Sequence, residues 1–178
     1  MMLPLRTERL ALRQVTYDDA SFVLELINDP EWIRNISDRG IRTVEAVRGY
    51  IDEVLLASYA KHGFGLYRIG RRADDVPIGM CGLIRRDTLP DVDIGYALLP
   101  AYRGQGYALE AAQAVLEHGR RDHGLKRLLG IASASNLGSR RILERLGLVY
   151  QGMREDTGFA EPSCLYAIEF TDTGAAIC

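Results

Sequence analysis

A glycine-bearing turn at residues 103–108 has the residue types and spacing to hold a phosphate group. It reads Arg103-Gly104-Gln105-Gly106-Tyr107-Ala108, and a helix is predicted from Tyr107 onward. The first N–H groups of a helix lack intrahelical partners and lie at the positive end of the helix dipole, so they suit a phosphate. Glycine lets that backbone approach a ligand closely. The turn therefore predicts a site for a phosphorylated cofactor.

Two established phosphate-binding motifs do not fit this turn. The dinucleotide fingerprint G-x-G-x-x-G lacks its third glycine here, and the Gly-Lys-Ser/Thr of the P-loop does not occur in the sequence. A nucleotide-binding protein is therefore disfavoured. A tight turn without a ligand is the plain alternative for Gly104 and Gly106.

Hydrophobic alternation and helical spacing predict the elements that position the turn. Strands are predicted at residues 9–15, 64–69, 78–85, 92–98, 127–132, 147–153 and 165–171, and helices near 17–29, from 44, at 107–123 and at 137–146. The segment 31–43 is predicted to be a polar loop. The strands before and after the third helix form a βαβ unit and should run parallel. The class is α/β (α+β), with a mixed and mostly antiparallel sheet of about seven strands flanked by four helices.

Composition limits the class of protein and its partners. A length of 178 residues predicts one domain over residues 1–178. A net charge of −2 gives no electrostatic basis for binding a nucleic-acid backbone. The N-terminal stretch lacks the apolar run of a signal peptide, and no stretch approaches membrane-spanning length. Cys81, Cys164 and Cys178 are odd in number and lack CxxC spacing, which predicts free thiols. We therefore expect a cytoplasmic protein without nucleic-acid or membrane partners.

Four motifs in order resemble the GNAT superfamily of acyl-CoA-dependent N-acyltransferases. They are IGYALLP at residues 94–100, the R-x-x-G-x-A of the turn, NLGS at 136–139 and LGL at 146–148. The opening RTERLALR at residues 6–13 and NDP at 28–30 resemble the RimJ/RimL-like branch, which includes ribosomal-protein N-terminal acetyltransferases. The resemblance covers nearly the whole chain.

The resemblance implies a GNAT fold in which two parallel strands splay apart to admit acetyl-CoA. It implies that an amine attacks the thioester directly in a ternary complex, without a covalent enzyme intermediate. The residues implied to bind the cofactor are Ala97, Leu98 and Leu99, which would pair with pantetheine, Arg103, Gly104, Gln105, Gly106, Tyr107 and Ala108 around the pyrophosphate, and Asn136 and Ser139. Asn136 could instead serve only as the N-cap of the fourth helix, and Arg103 only as a solvated turn residue.

The reaction needs an acceptor for one proton and a donor for another. The family often supplies the donor as a tyrosine in the fourth helix, but Leu143 occupies that place. In RimL-like members the serine three residues after the asparagine has been proposed, and Ser139 matches it, with Tyr150 as a weaker candidate. Asp93 is the predicted base, and Asp91 lies on the same strand face. A structural partner for a backbone or arginine group is the alternative for Asp93.

The loop between the first two helices borders the acceptor site in this family. Trp32, Asp38 and Arg39 lie there and are predicted to bind a charged acceptor, with surface solvation as the alternative. The acceptor is expected to be a primary amine, either a protein N-terminus or a small molecule. No metal is expected, because the histidines are not at metal spacing and solvated helix ends explain them. The protein is expected to be a monomer or homodimer, and a catalytically inactive CoA-binding sensor is the alternative function.

Overall fold

Eight strands form one sheet in the order β1-β2-β3-β4-β5-β6-β8-β7. The structure is a computed structural model, and it describes residues 4–157, 159 and 161–171. The strands are β1 (Leu5–Arg6), β2 (Leu10–Arg13), β3 (Leu66–Arg71), β4 (Pro77–Ile84), β5 (Asp93–Leu98), β6 (Arg127–Ser133), β7 (Val149–Arg154) and β8 (Ser163–Glu169). The predicted mixed, mostly antiparallel sheet is confirmed. It has eight strands because β1, which was not predicted, pairs with β2.

The helices pack against this sheet and are joined by short connections. They are α1 (Ala20–Ile27), α2 (Pro30–Asn35), α3 (Val44–Tyr50), a π-helical segment (Ile51–Leu56), α4 (Ala57–His62), α5 (Tyr107–Asp122) and α6 (Leu137–Arg145). The α3, π and α4 segments follow one another directly, so they correspond to the single helix predicted from residue 44. The π winding is seen where the N–H of Ala57 bonds to the carbonyl of Asp52, five residues back.

Helix α2 lies in the segment that was predicted to be a loop, so that prediction was wrong. Asp29 is its N-cap and accepts hydrogen bonds from the N–H groups of Glu31 and Trp32, while Pro30 occupies the first helical position. Pro30 therefore does end α1, as predicted, but it also begins the next helix. The indole of Trp32 is 5% exposed and joins the hydrophobic core.

Strands β5 and β6 run parallel, as predicted, and they part soon after they meet. Their register is a single pair, Asp93 opposite Leu129, with the Leu129 N–H bonded to the Val92 carbonyl at 2.9 Å. Beyond this point β5 continues to pair with β4 on its other side. The splayed strands implied by the family resemblance are therefore present, and they leave a gap beside Tyr96 and Leu98.

The prediction that the histidines lie at solvated helix ends is wrong for His118. His118 is 6% exposed, and its ring nitrogens contact the hydroxyl of Tyr67 at 3.1 Å, the carboxylate of Asp122 at 2.6 Å and the ring of His123 at 3.1 Å. It is a buried member of a polar cluster, not a solvated helix end. Cys81 and Cys164 are buried free thiols, while Cys178 lies outside the described residues. Among the helices that the structure describes, none is long and apolar enough to cross a membrane.

Candidate active site

The glycine turn leads directly into the first turn of α5. Gly104 has φ +74° and Gly106, the N-cap of α5, has φ +81°, both in the left-handed region that favours glycine. The first intrahelical bond runs from the N–H of Glu110 to the Gly106 carbonyl, so the N–H groups before Glu110 have no acceptor within the helix. This geometry fits a phosphate at the predicted place.

The N-terminal RTERLALR motif holds that helix end in place. Glu110 accepts hydrogen bonds from the Thr7 hydroxyl at 2.5 Å, the Arg9 N–H at 2.9 Å and the Arg9 guanidinium at 2.7 Å. Arg9 also bonds to the Gln105 carbonyl at 3.0 Å and lies over the ring of Tyr107. Burial would raise the pKa of Glu110, but these donors outweigh it and lower the pKa. Glu110 is therefore a structural carboxylate that anchors the phosphate turn to the N-terminal motif.

One cavity of about 1260 Å³ runs from the glycine turn to the acceptor loop. The predicted cofactor residues that line it are Ala97, Leu98, Arg103, Gly104, Gly106, Tyr107, Ala108, Asn136 and Ser139. Leu99 and Gln105 are not among its lining residues. Ligand pockets commonly measure about 300–1,000 Å³, so this cavity has room for a cofactor and an acceptor together.

The peptide groups of β5 divide between the sheet and the gap. Leu99 donates its N–H to the Ile78 carbonyl at 2.8 Å, toward β4, and Ala97 has the same orientation because peptide directions alternate along a strand. Leu98 therefore faces the gap, where its carbonyl accepts from the Arg103 guanidinium at 2.9 and 3.1 Å. Of the three residues predicted to pair with pantetheine, Leu98 is the one whose peptide faces the splay.

Arg103 has other partners than a phosphate. Its N–H donates to the Pro100 carbonyl at 3.3 Å, and its guanidinium bonds to the carboxylate of Asp29 at 2.5 Å as well as to the Leu98 carbonyl. The phosphate contact predicted for Arg103 is therefore not supported by its side chain or its N–H. The phosphate-facing part of the turn therefore consists of its two glycines and the start of α5.

Asn136 and Ser139 meet at the N-terminus of α6, where the cavity passes. Asn136 is the N-cap, and its side-chain carbonyl accepts from the Ser139 N–H at 3.1 Å. The capping alternative is thus realised, and it leaves the amide NH₂ of Asn136 to donate to a ligand. The Ser139 hydroxyl lies 3.0 Å from the hydroxyl of Tyr96 on β5.

Tyr96 is a site residue that sequence reasoning missed. Its hydroxyl also lies 2.9 Å from the Ser139 carbonyl, and its ring lines the cavity. Burial raises its pKa, and the hydrogen bond to Ser139 opposes the rise. Leu143, at the place of the family tyrosine, is 1% exposed in the core, and Tyr150 is 49% exposed and does not line the cavity. A tyrosine hydroxyl therefore reaches Ser139 from the strand and not from the helix.

Asp93 lies at the base of the splay on the opposite face of β5 from Tyr96. It is 1% exposed, and both its carboxylate oxygens lie within 3.2 Å of the Arg86 Nε. Burial raises the pKa of Asp93 to about 6, and the charge of Arg86 and its hydrogen bond limit the rise. Both residues line the cavity, and Arg86 stacks on Phe159. The arginine partner foreseen as the structural alternative is present, and the raised pKa is the one a base at neutral pH needs.

The predicted acceptor residues lie along the same cavity with different partners. Trp32 is buried, and its indole N–H has no hydrogen-bond partner among the described residues. Asp38 pairs with Arg42 at 2.8 Å, and Arg39 lies over the ring of Tyr50 at 5.0 Å. Trp32, Asp38, Arg39 and Tyr50 all line the cavity. Asp91, by contrast, pairs with Arg127 and is not part of the lining.

Comparison with known proteins shows the family of this chain. Residues 9–149 match the family described as an acetyltransferase (GNAT) domain. The chain belongs to the GNAT family. It is similar to the uncharacterized N-acetyltransferase YnaD of Bacillus subtilis (strain 168), with 27% identity over 146 residues and 82% of each chain covered. An acetyltransferase from Agrobacterium tumefaciens str. C58 shares the GNAT fold with a TM-score of 0.79, at 24% identity over 96% of both chains.

A second solved structure with this GNAT fold contains the cofactor. RimL, a ribosomal L7/L12 alpha-N-protein acetyltransferase in complex with coenzyme A, has a TM-score of 0.79 at 17% identity, covering 92% of this chain and 95% of that chain. At these identities the two solved structures show the fold alone. As a GNAT member the chain is an acyltransferase, and its fold is one that uses acetyl-CoA. Among residues 4–157, 159 and 161–171, no group of three or more His, Cys, Asp or Glu could hold a metal ion.

Proposed function

We propose that this protein transfers an acetyl group from acetyl-CoA to a primary amine in a ternary complex. The observation that carries the proposal is that one cavity joins a glycine turn at a helix N-terminus, a splay between parallel strands and two proton-bearing groups on β5. A binding site for CoA alone needs the first two features. The buried Asp93 at the same cavity favours an enzyme over a sensor.

The proposed cofactor site uses backbone more than side chains. The N–H groups that begin α5 receive the pyrophosphate, with Gly104 and Gly106 allowing its approach. The gap-facing N–H of Leu98 and the free amide of Asn136 hold the pantetheine arm, while the Leu98 carbonyl stays bonded to Arg103. This arrangement places the thioester at the splay, between the two faces of β5.

The proposed chemistry divides two protons between the two faces of β5. Asp93 accepts a proton from the attacking amine, directly or through water, and Arg86 keeps the carboxylate charged at neutral pH. On the other face, the Ser139 hydroxyl donates a hydrogen bond to the leaving sulfur, and the Tyr96 hydroxyl holds Ser139 in place. Stabilisation by hydrogen bonding is favoured over full transfer, because a serine hydroxyl is a weak acid.

The acceptor is proposed to be a protein N-terminus or a small-molecule amine. The N-terminal motif at residues 6–13 and the RimL fold likeness support the RimJ/RimL-like branch and a protein N-terminus. A cavity wall with Trp32, Tyr50 and Phe159 supports an acceptor that presents apolar atoms beside its amine. We also propose one domain over residues 1–178 and a cytoplasmic location.

The cofactor site is tested by calorimetry with acetyl-CoA on Gly106→Val. A β-branched residue at φ +81° costs about 1–2 kcal/mol and intrudes on the phosphate site, so affinity should fall by roughly 10- to 100-fold. Gly124→Val is the matched control, because Gly124 has φ +62°, has nothing within 4 Å of an added Cβ and lies at the other end of α5. Equal affinity in both variants, or binding of ATP or NAD in preference to CoA, would remove the proposal.

Turnover is tested by thiol release from acetyl-CoA with a panel of small amines and ribosomal-protein N-terminal peptides. We expect release that depends on one acceptor class. Tight CoA binding with no turnover against any acceptor would instead support the inactive sensor. The same panel separates a protein N-terminus from a small amine.

A further inference from the structure

The carboxylate of Asp29 connects the phosphate turn to helix α2. One oxygen, Oδ2, accepts from the Arg103 guanidinium at 2.5 Å and from the N–H groups of Glu31 and Trp32 at 3.1 and 3.4 Å. The first of these donors belongs to the turn, and the other two form the first turn of α2. Asp29 is 7% exposed, so this junction is shielded from water.

The guanidinium of Arg103 is held at several points, which makes the junction stiff. Its Nε and Nη2 both donate to the Leu98 carbonyl, and its Nη1 lies 3.4 Å from the carboxylate of Glu31. A planar guanidinium fixed on several partners keeps their relative geometry better than a flexible ammonium would. Gly104, the next residue after Arg103, begins the phosphate-facing backbone. A shift of the turn would therefore be transmitted to Asp29 and α2.

Helix α2 carries Trp32, which lines the acceptor part of the cavity. The indole N–H of Trp32 has no partner among the described residues, and its ring packs in the core, so its position depends on how α2 is held. The two ends of the cavity are thus connected through a short series of contacts, from the turn through Arg103 and Asp29 to Trp32.

We propose that Arg103 is a positioning residue that couples the phosphate turn to the acceptor wall. Binding of a phosphorylated cofactor at the turn then changes the position of the Trp32 side chain. The proposal rests on the proposed function, because the turn must bind a phosphorylated cofactor. By reciprocity, a ligand at the acceptor wall then changes the affinity of the turn for the cofactor by the same factor. Arg103 would act without touching the reacting atoms.

The only tryptophan of the chain, Trp32, supplies the readout. ADP carries a pyrophosphate but no pantetheine arm, so it fills the turn without reaching the acceptor wall. We expect a saturable change of tryptophan emission when ADP or CoA is titrated into the wild-type protein. The change should be lost in Arg103→Gln and in Asp29→Ser, whose hydroxyl still caps α2 but is uncharged and too short to hold the guanidinium. Arg120→Gln is the matched control, because Arg120 pairs with Glu117 on α5 and does not line the cavity.

Calorimetry on the same samples separates the coupling from cofactor binding itself. In the wild-type protein, a saturating amine acceptor from the turnover panel should change the affinity for CoA by about 5-fold, at the lower end of common coupling energies, and Asp29→Ser should lose this factor. In turnover assays its acceptor KM should rise while kcat at saturating substrates stays at the wild-type value. An emission change that persists in both variants, or wild-type binding without any emission change, overturns the coupling. If the wild-type protein binds no CoA by calorimetry, the proposed function fails instead.

Discussion

The two faces of β5 carry proton-bearing groups that lie three residues apart and have different surroundings. Asp93 is fully buried beside a charged partner, Arg86, whereas Tyr96 is half-buried beside a neutral one, Ser139. Burial raises the pKa of both side chains. The charged partner limits the rise for Asp93, so it can be an anion at neutral pH, while Tyr96 stays protonated. In the proposed mechanism β5 therefore supplies the acceptor, Asp93, on one face, while Tyr96 on the other face holds the donor, Ser139.

The largest effect should come from removing the acceptor. Asp93→Asn should lower kcat/KM by about 100-fold or more, the usual contribution of general base catalysis. The matched control is Asp91→Asn, because Asp91 lies just before β5, two residues from Asp93, and pairs with Arg127 outside the cavity. Steady-state thiol release measures both variants, and thermal unfolding confirms that each is folded. Full activity in Asp93→Asn would contradict the assignment of the base.

A smaller effect is expected on the donor face. Ser139→Ala should lower kcat by about tenfold, the loss of roughly one hydrogen bond to the leaving sulfur. Tyr96→Phe should lower it by a similar or smaller factor, and the double variant should be no worse than Ser139→Ala, because residues that act as a unit are not additive. Tyr150→Phe is the control, since Tyr150 is exposed and away from the cavity. Additive losses in the double variant would show that the two hydroxyls do not form one unit.

The pH dependence distinguishes the two faces further. Because the pKa of Asp93 is about 6, kcat/KM should fall as the pH drops through 6 and the carboxylate takes up a proton. Arg86→Leu removes the charge that limits this pKa, so the acid limb should move to higher pH by about one unit or more. A pH profile of kcat/KM for the two proteins measures the shift. If the fall of kcat/KM at low pH occurs at the same pH in Arg86→Leu, the titrating group is not Asp93.

The smallest expected effect is on stability. Its measurement tests whether the loss of activity at low pH comes from protonation of a catalytic group or from unfolding. Burial and the neighbouring His118 lower the pKa of His123, so at this side chain the native state binds fewer protons than the unfolded state. The stability that His123 contributes, taken as the difference between the wild-type protein and His123→Gln, should be present above the unfolded pKa of about 6.5 and decrease as the pH falls below it. Asp93, whose raised pKa has the opposite effect on stability, is common to both proteins and cancels in this difference. Urea unfolding at pH 7 and pH 5.5 measures this, with His123→Gln as comparison. A loss of several kcal/mol in the wild-type protein would mean that unfolding contributes to the activity profile.

Features that depend on local sequence could be predicted from it. The glycine turn and the parallel unit around α5 follow from residue type and alternation, and the structure contains both of them. Helix α2 also had a local signal, an aspartate N-cap followed by proline at the first helical position, but proline was interpreted only as a stop.

Features that depend on distant partners could not be predicted in this way. Tyr96 meets Ser139 across 43 residues of sequence, and Arg103 meets Asp29 across 74. Nothing in the type of either residue specifies which carboxylate or hydroxyl the fold brings to it. His118 is similar, because its burial depends on Tyr67 from another element. The contacts that assemble the candidate site therefore could be seen only in the tertiary structure, although several of its residues could be predicted from the sequence.

The π segment at Ile51–Leu56 makes this helix tolerant of changes in chain length. A π turn contains one more residue than an α turn, so deleting one residue there would leave a regular α-helix. Because the π turn holds the extra residue locally, the deletion would leave the rest of the helix close to its present orientation, including Tyr59, whose hydroxyl bonds to the Val15 N–H and the Leu66 carbonyl. A single-residue deletion within residues 51–56 would thus change the cavity wall locally while leaving the sheet intact. This helix is where we would introduce length variation to alter acceptor selectivity.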